Sequence, residues 1–284
     1  MAGAAAFDVD VLGGSISGWR SGSGGPVVVV LHGGPGLSDY TETLADELDD
    51  GYAVVRYQQR GLAPSTAEGP FTVPTHVGDL GAVLDAIATA PVYIVGHSWG
   101  GHLALHLAAA DPGRIRGLVV VDPLGVVGDG GESDLMRIMA ERIPPDAMAR
   151  ASELDERAMA GTGTPEEALE SLALVWPAYF ARPSEAPPMP PMELSLPCYS
   201  GTWQSIHDEL PRVDWAARLG RFEAPVAFVL GAQSPVPPEH GLATAALFPS
   251  AATEVLEGCG HFLWFEQPGA VRRALDAVHA TTLP

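Results

Sequence analysis

The chain has 284 residues, 46% hydrophobic and 18% charged, with a mean hydropathy of +0.14, a composition able to bury a sizeable α/β core. Its 35 acidic and 15 basic residues leave a formal charge of −20, which repels nucleic acid and anionic membrane surfaces. No apolar run approaches the ~20 residues that span a bilayer, and Cys198 and Cys259 fit neither a disulfide framework nor a zinc spacing.

Residues 1–7 carry no basic stretch and no apolar stretch of signal length, so a cytoplasmic protein without a secretory leader is expected. Residues 7–11 and 16–20 alternate as short strands about a hairpin turn at 12–15. After a turn at 22–26, residues 27–31 form a continuous apolar strand, buried on both faces, that runs into His32-Gly33-Gly34-Pro35-Gly36. A glycine-rich turn at the end of a buried strand can present backbone N–H groups to a developing negative charge, and Gly34 N–H is the candidate donor. The competing readings are a plain structural turn and a phosphate loop; the second lacks its Lys-Ser/Thr ending. His32 is expected to order its own loop.

Ser38 or Asp39 can cap a helix through Leu48, and residues 53–57 make the next strand. Arg60, in the turn that follows, suits anchoring of neighbouring loops through backbone carbonyls better than catalysis. Residues 75–88 carry Val77, Leu80, Val83, Leu84 and Ile87 on one stripe, the mark of a covering helix.

The organising stretch is the β-branched run from Val92 into Gly96-His97-Ser98-Trp99-Gly100-Gly101, followed at once by a helical pattern to Ala110. Strand, Gly-x-Ser-x-Gly and helix together are the context of a nucleophile elbow. Ser98 is the candidate nucleophile; the glycines let strand and helix approach, and the Trp99 N–H opens the helix as a second oxyanion donor. His97 and His102 flank Ser98 in sequence without facing it.

Residues 118–121 form another buried strand that ends in Asp122-Pro123, an acid at a strand's carboxyl end, where open parallel sheets place ligands. From 124 to 212 the strand–helix rhythm stops. Residues 134–142 and 165–176 look helical, and 183–197 is too proline-dense for a helix interior. An inserted helical cap is expected there, with Trp176, Tyr179, Phe180, Tyr199 and Trp203 giving it an apolar underside or simply its own core. The α/β core, 1–123 and 213–284, resumes with a strand at 226–230, a helix at 239–247, a strand at 252–256 and a final helix at 267–281. His261, in the glycine-rich loop after the last strand, is the candidate general base.

Taken together, His32-Gly33-Gly34-Pro35-Gly36, Arg60-Gly61, the elbow and Gly258-x-Gly-His261-Phe262 resemble the α/β-hydrolase superfamily, and within it the proline iminopeptidase-like branch. The resemblance implies a mostly parallel eight-stranded sheet flanked by helices, a helical cap after the sixth strand, no cofactor or metal, and hydrolysis of a small-molecule substrate through an acyl-enzyme on Ser98. The chain departs from the branch at Gln58, where an acid is usual, and at Ser234, where the triad aspartate is usual. A serine cannot supply the charge that stabilises an imidazolium, so the acid is Asp122, Glu239, or absent. The function classes left open are a serine hydrolase of esters, amides or lactones, a prolyl aminopeptidase within that class, and a non-catalytic small-molecule binder that keeps the hydrolase fold. The oligomeric state is not readable.

Overall fold

β-branched runs with no polar face become the interior of a sheet, because a strand covered on both sides must be apolar at every position. A computed structural model describes residues 4–22 and 24–283; residues 1–3 of the segment read for a leader, and Ser23 of the turn at 22–26, lie outside the described residues. Among the described residues the strands are β1 Ala5–Val11, β2 Gly14–Ser21, β3 Val27–Leu31, β4 Ala53–Tyr57, β5 Val92–His97, β6 Ile115–Val121, β7 Val226–Gly231 and β8 Ala251–Leu256. They form one eight-stranded sheet in the order β1-β2-β4-β3-β5-β6-β7-β8. The hairpin β1–β2 and the β2–β4 pair are antiparallel; the other pairs are parallel.

Helices α1 Glu42–Leu48, α2 Val73–Ile87 and α3 Trp99–Ala110 follow β3, β4 and β5. Between β6 and β7 lie α4 Glu132–Arg142, α5 Pro145–Met159, α6 Pro165–Val175, α7 Leu196–Glu209 and α8 Trp215–Leu219, and the last part of the chain adds α9 Pro238–Ala245, α10 Leu263–Glu266 and α11 Ala270–Ala280. Successive side chains of each strand feed opposite faces. Val29, Leu31 and Ile94 pack with Leu80 of α2 and Leu103 of α3, whereas Val28, Val30, Tyr93 and Val95 pack with Leu44 of α1 and Leu275 of α11. Among the described residues no helix is long and apolar enough to cross a membrane.

Several element boundaries differ from the sequence reading for local reasons. α1 starts after Thr41 rather than after Ser38 or Asp39, because the Asp39 carboxylate is already engaged: it accepts the Thr41 N–H at 2.9 Å and pairs with Arg56 at 2.7 Å. The final helix expected over 267–281 begins only at Ala270, after Gly269 at φ 80, and a separate short helix, α10, precedes that range. α5 and α7 were not expected. α7 begins inside the proline-dense stretch, with Ser195 accepting the Cys198 N–H and Pro197 in the first turn, where its missing N–H costs nothing.

The inserted segment docks onto the strand ends that carry the candidate site. Leu37 pairs with Leu194 in an isolated bridge, Ser195 N–H donates to Gly36 O at 2.8 Å, and His261 N–H donates to Tyr179 O at 2.7 Å. α8 belongs with the core instead, since Trp215 packs against His106 of α3 at a ring separation of 4.7 Å.

Candidate active site

β5 delivers Ser98 at its carboxyl end with φ 55 and ψ −121, a left-handed conformation that a non-glycine residue adopts only at a cost in energy, and α3 begins at the next residue. The turn is held from both sides: Ser98 N–H donates to Val121 O of β6 at 3.0 Å, and Ser98 O accepts the His102 N–H of α3. Gly100 is required because a Cβ there would lie 2.2 Å from Leu31 O. Ser98 keeps partial exposure while Trp99 is buried.

The glycine-rich loop after β3 lies directly against this turn: a Cβ on Gly33 would come within 2.7 Å of Ser98 Cβ. The Gly33 N–H is used by the Tyr40 hydroxyl at 2.8 Å. Neither the Gly34 amide, in the left-handed region at φ 57, nor the Trp99 amide finds an acceptor among the described residues. Trp99 stands in the first helical turn, where amides have no intrahelical partner. Gln59 ties the two loops together, accepting Trp99 Nε1–H at 2.8 Å and donating to His32 O at 2.8 Å. His32 orders its own loop: Nδ1–H donates to Gly33 O and Nε2 accepts the Gln59 N–H. Burial depresses the His32 imidazole pKa, in accord with that neutral tautomer.

The acid expected from β6 meets the histidine expected from the loop after β8. His261 Nδ1–H donates to Asp122 Oδ2 at 2.5 Å, with Asp122 1% and His261 4% exposed. Asp122 stands at φ 42 immediately after β6, and its other oxygen accepts the Gly231 N–H at 2.9 Å. Ser234, in the turn after β7, donates its hydroxyl to Asp122 Oδ2 at 2.5 Å. The alternative acid is elsewhere: Glu239 is exposed in the first turn of α9 and makes no hydrogen bond to His261.

Three neighbours of the histidine take roles that the sequence reading did not assign to them. His97 packs against it with the rings tilted at a separation of 4.6 Å, donates Nε2–H to His261 O at 2.9 Å and accepts the Tyr40 hydroxyl proton at Nδ1. Burial, then the neighbouring His261, pushes the His97 pKa well below the ordinary imidazole range, so this neutral tautomer is fixed. Tyr179 of the inserted segment faces the His261 ring at 5.4 Å. Glu266 of α10 accepts the Gly260 N–H at 2.5 Å and the Ala181 N–H at 2.9 Å, which clamps the histidine loop to the insertion. A carboxylate six residues after a glycine has no sequence signature of that job. Trp176 and Phe180, candidates for the cap underside, are buried against Phe262.

Arg60 anchors the surrounding loops from a buried position. It forms a two-pronged pair with Asp79 at 2.5 and 2.6 Å and donates to the carbonyls of Glu68 and Leu12. Gln58, where the resembled branch has an acid, accepts the Asp39 N–H at 2.9 Å and donates to Leu37 O at 3.2 Å, so its amide also holds the loop after β3. Among the described residues no group of three or more His, Cys, Asp or Glu is arranged to hold a metal ion.

The parallel sheet, the elbow after its central strand and the late histidine loop define an α/β hydrolase. The chain belongs to the alpha/beta hydrolase fold family, whose sequence profile matches residues 26–268. It is similar to the proline iminopeptidase of Heyndrickxia coagulans, with 24% identity over 273 residues that cover 92% of this chain and 93% of that one. Among solved structures, VinJ matches with a TM-score of 0.71 at 24% identity, over 97% of this chain and 98% of its own. The proline iminopeptidase of Mycobacterium smegmatis matches at 0.69 and 20% identity, over 98% and 99%. At these identities the structural likeness speaks for the fold alone.

Proposed function

We propose that the chain is a serine hydrolase that cleaves a small ester, amide or lactone through an acyl-enzyme on Ser98. The observation that carries this reading is the 2.5 Å hydrogen bond between His261 Nδ1 and Asp122 Oδ2, in a chain whose Ser98 stands in an elbow beside the oxyanion loop. With Nδ1–H committed to Asp122, the lone pair of His261 Nε2 is left to accept the Ser98 proton as the oxygen attacks the substrate carbonyl. The Gly34 and Trp99 amides, without acceptors among the described residues, take the charge that develops on the carbonyl oxygen. His261 then protonates the leaving group, and a water activated by the same imidazole releases the acid and restores the serine. Asp122, bonded to His261 from the neighbouring strand, can take the place of the acid missing at Ser234, which favours an enzyme over a non-catalytic binder.

This reading is tested by hydrolysis of p-nitrophenyl acetate. Wild type is expected to show a burst of one p-nitrophenol per active site or steady turnover, and Ser98→Ala neither. Equal rates in both proteins would overturn it.

Prolyl aminopeptidase activity is the finer reading suggested by the names of the relatives. That chemistry needs a carboxylate for the substrate's free amine. Most of the acids on the inserted helices are otherwise engaged: Glu153 and Glu170 pair with Arg150, and Glu167 pairs with Arg157. Asp155 in turn accepts the Ser171 hydroxyl at 2.8 Å, so no acid of these helices is singled out for the amine. Proline p-nitroanilide left intact by an enzyme that cleaves p-nitrophenyl acetate would reject the aminopeptidase reading alone.

A further inference from the structure

We infer that Ser234 is a positioning residue whose hydroxyl fixes the Asp122 carboxylate in the orientation that His261 requires. The inference rests on the triad reading above.

Asp122 is nearly sealed from solvent, and a buried carboxylate needs donors on both oxygens to stay ionised and oriented. Its donors divide unevenly. Among the described residues Oδ1 accepts only the Gly231 N–H, at 2.9 Å, whereas Oδ2 accepts both the Ser234 hydroxyl and His261 Nδ1–H, each at 2.5 Å. The oxygen that faces the imidazole is therefore the one that Ser234 grips. A hydroxyl has one proton to give and rotates freely unless something fixes it. Here the Ser234 oxygen also accepts the Val236 N–H at 3.1 Å, which fills an acceptor direction and leaves the proton aimed at Asp122. Ser234 is 3% exposed, so water does not compete for it.

The backbone adds a reason why such a grip is needed. Asp122 is held at φ 42, and its N–H is tied to Val229 O at 2.9 Å. The side chain thus leaves the strand end in a direction set by the left-handed turn, and only the two β7-side donors, Gly231 N–H and Ser234 O–H, stop its carboxylate from rotating away from His261. Orientation of this kind matters most when the imidazole carries a second proton, in the transition state rather than in the substrate complex. A defect should then appear in kcat and spare KM.

The test compares wild type with Ser234→Ala and Ser234→Thr, by p-nitrophenyl acetate kinetics and by proton NMR of the His261 Nδ1–H resonance. Ser234→Ala is expected to lower kcat about tenfold with KM within about twofold, and to shift or broaden the Nδ1–H resonance. Ser234→Thr, which keeps the hydroxyl, is expected to recover both. Unchanged kcat and resonance in Ser234→Ala would overturn the inference, as would an equal kcat loss in both variants with the resonance unmoved, since that marks only a turn that needs serine. The resonance is read without turnover. A resonance that moves in Ser234→Ala and returns in Ser234→Thr, in a protein with no nucleophilic Ser98, would keep the positioning role and reject the hydrolase reading separately.

Discussion

The Asp122 carboxylate and the His261 ring, 139 positions apart in sequence, meet in a 2.5 Å hydrogen bond because β6 lies beside β7 and the loop after β8 folds back across the ends of both. Asp122→Asn keeps the shape and removes the charge, and its amide offers a donor where an acceptor is needed. The expected result is a loss of about 10⁴ in kcat with KM little changed, by analogy with triads on other folds. Stopped-flow and steady-state hydrolysis of p-nitrophenyl acetate would measure it.

The same geometry predicts a partial rescue. The Ser234 oxygen is 2.5 Å from the Asp122 oxygen that contacts His261, so a carboxylate on position 234, one bond longer than serine, is expected to stand beside the same ring nitrogen. Asp122→Asn with Ser234→Asp is expected to recover at least about tenfold of the kcat lost by Asp122→Asn alone, about 1.4 kcal/mol. No recovery in a folded double variant would show that position 234 cannot present an acid to His261.

Gly100 offers a test of the elbow by stability. A Cβ there would sit 2.2 Å from Leu31 O and 2.6 Å from His32 O, both backbone atoms that cannot turn aside. Gly100→Ala is expected to lower the unfolding free energy by about 2–4 kcal/mol, measured by urea denaturation. A change under about 0.5 kcal/mol would mean that strand and helix are not so closely apposed.

The Arg60–Asp79 pair predicts a non-additive cycle. Both partners are buried, so Arg60→Met alone leaves an uncompensated carboxylate and is expected to cost about 3–5 kcal/mol. Arg60→Met with Asp79→Leu removes both charges and is expected to cost less than the sum of the single changes, in a double-mutant cycle by denaturant titration. Part of the loss will persist, because Arg60 also ties down the Glu68 and Leu12 carbonyls.

Stability should fall on mild acidification. Burial lowers the pKa of His32 and His97, takes His76 down to about 3 and His102 to about 4, and leaves His106 well below the ordinary value of 6.5. These imidazoles stay neutral in the folded state while the unfolded chain takes up protons below about pH 6.5, so the unfolded state binds more protons and the fold loses stability as pH drops. From pH 7.5 to 5.5 the loss is expected to be about 1 kcal/mol for each of His76 and His102, and His76→Gln should flatten the profile. Chemical denaturation at fixed pH values measures it; a flat profile in wild type would contradict the account.

Much of the fold was legible because its inner strands are largely apolar. The runs at 27–31 and 53–57 coincide with β3 and β4, and the Gly-x-Ser-x-Gly turn stands between β5 and α3 as its glycines require. α5 and α7 were hidden for physical reasons. α5 packs mainly against α6 and is polar over most of its surface, and α7 starts among prolines that look like helix breakers until Ser195 is seen to cap the turn. At the site, Asp122 could be singled out as an acid at a strand end. Its link to Ser234 could not, because that bond joins residues 112 positions apart and depends on a hydroxyl's direction, which no spacing records.

The central claim is that Ser98 is a nucleophile activated by His261. Fluorophosphonate labelling followed by mass spectrometry of the modified peptide measures it most directly. The account predicts one adduct per chain, on the peptide bearing Ser98, abolished in Ser98→Ala and strongly slowed in His261→Ala. An unlabelled wild type, or an adduct that persists undiminished in Ser98→Ala, would contradict it.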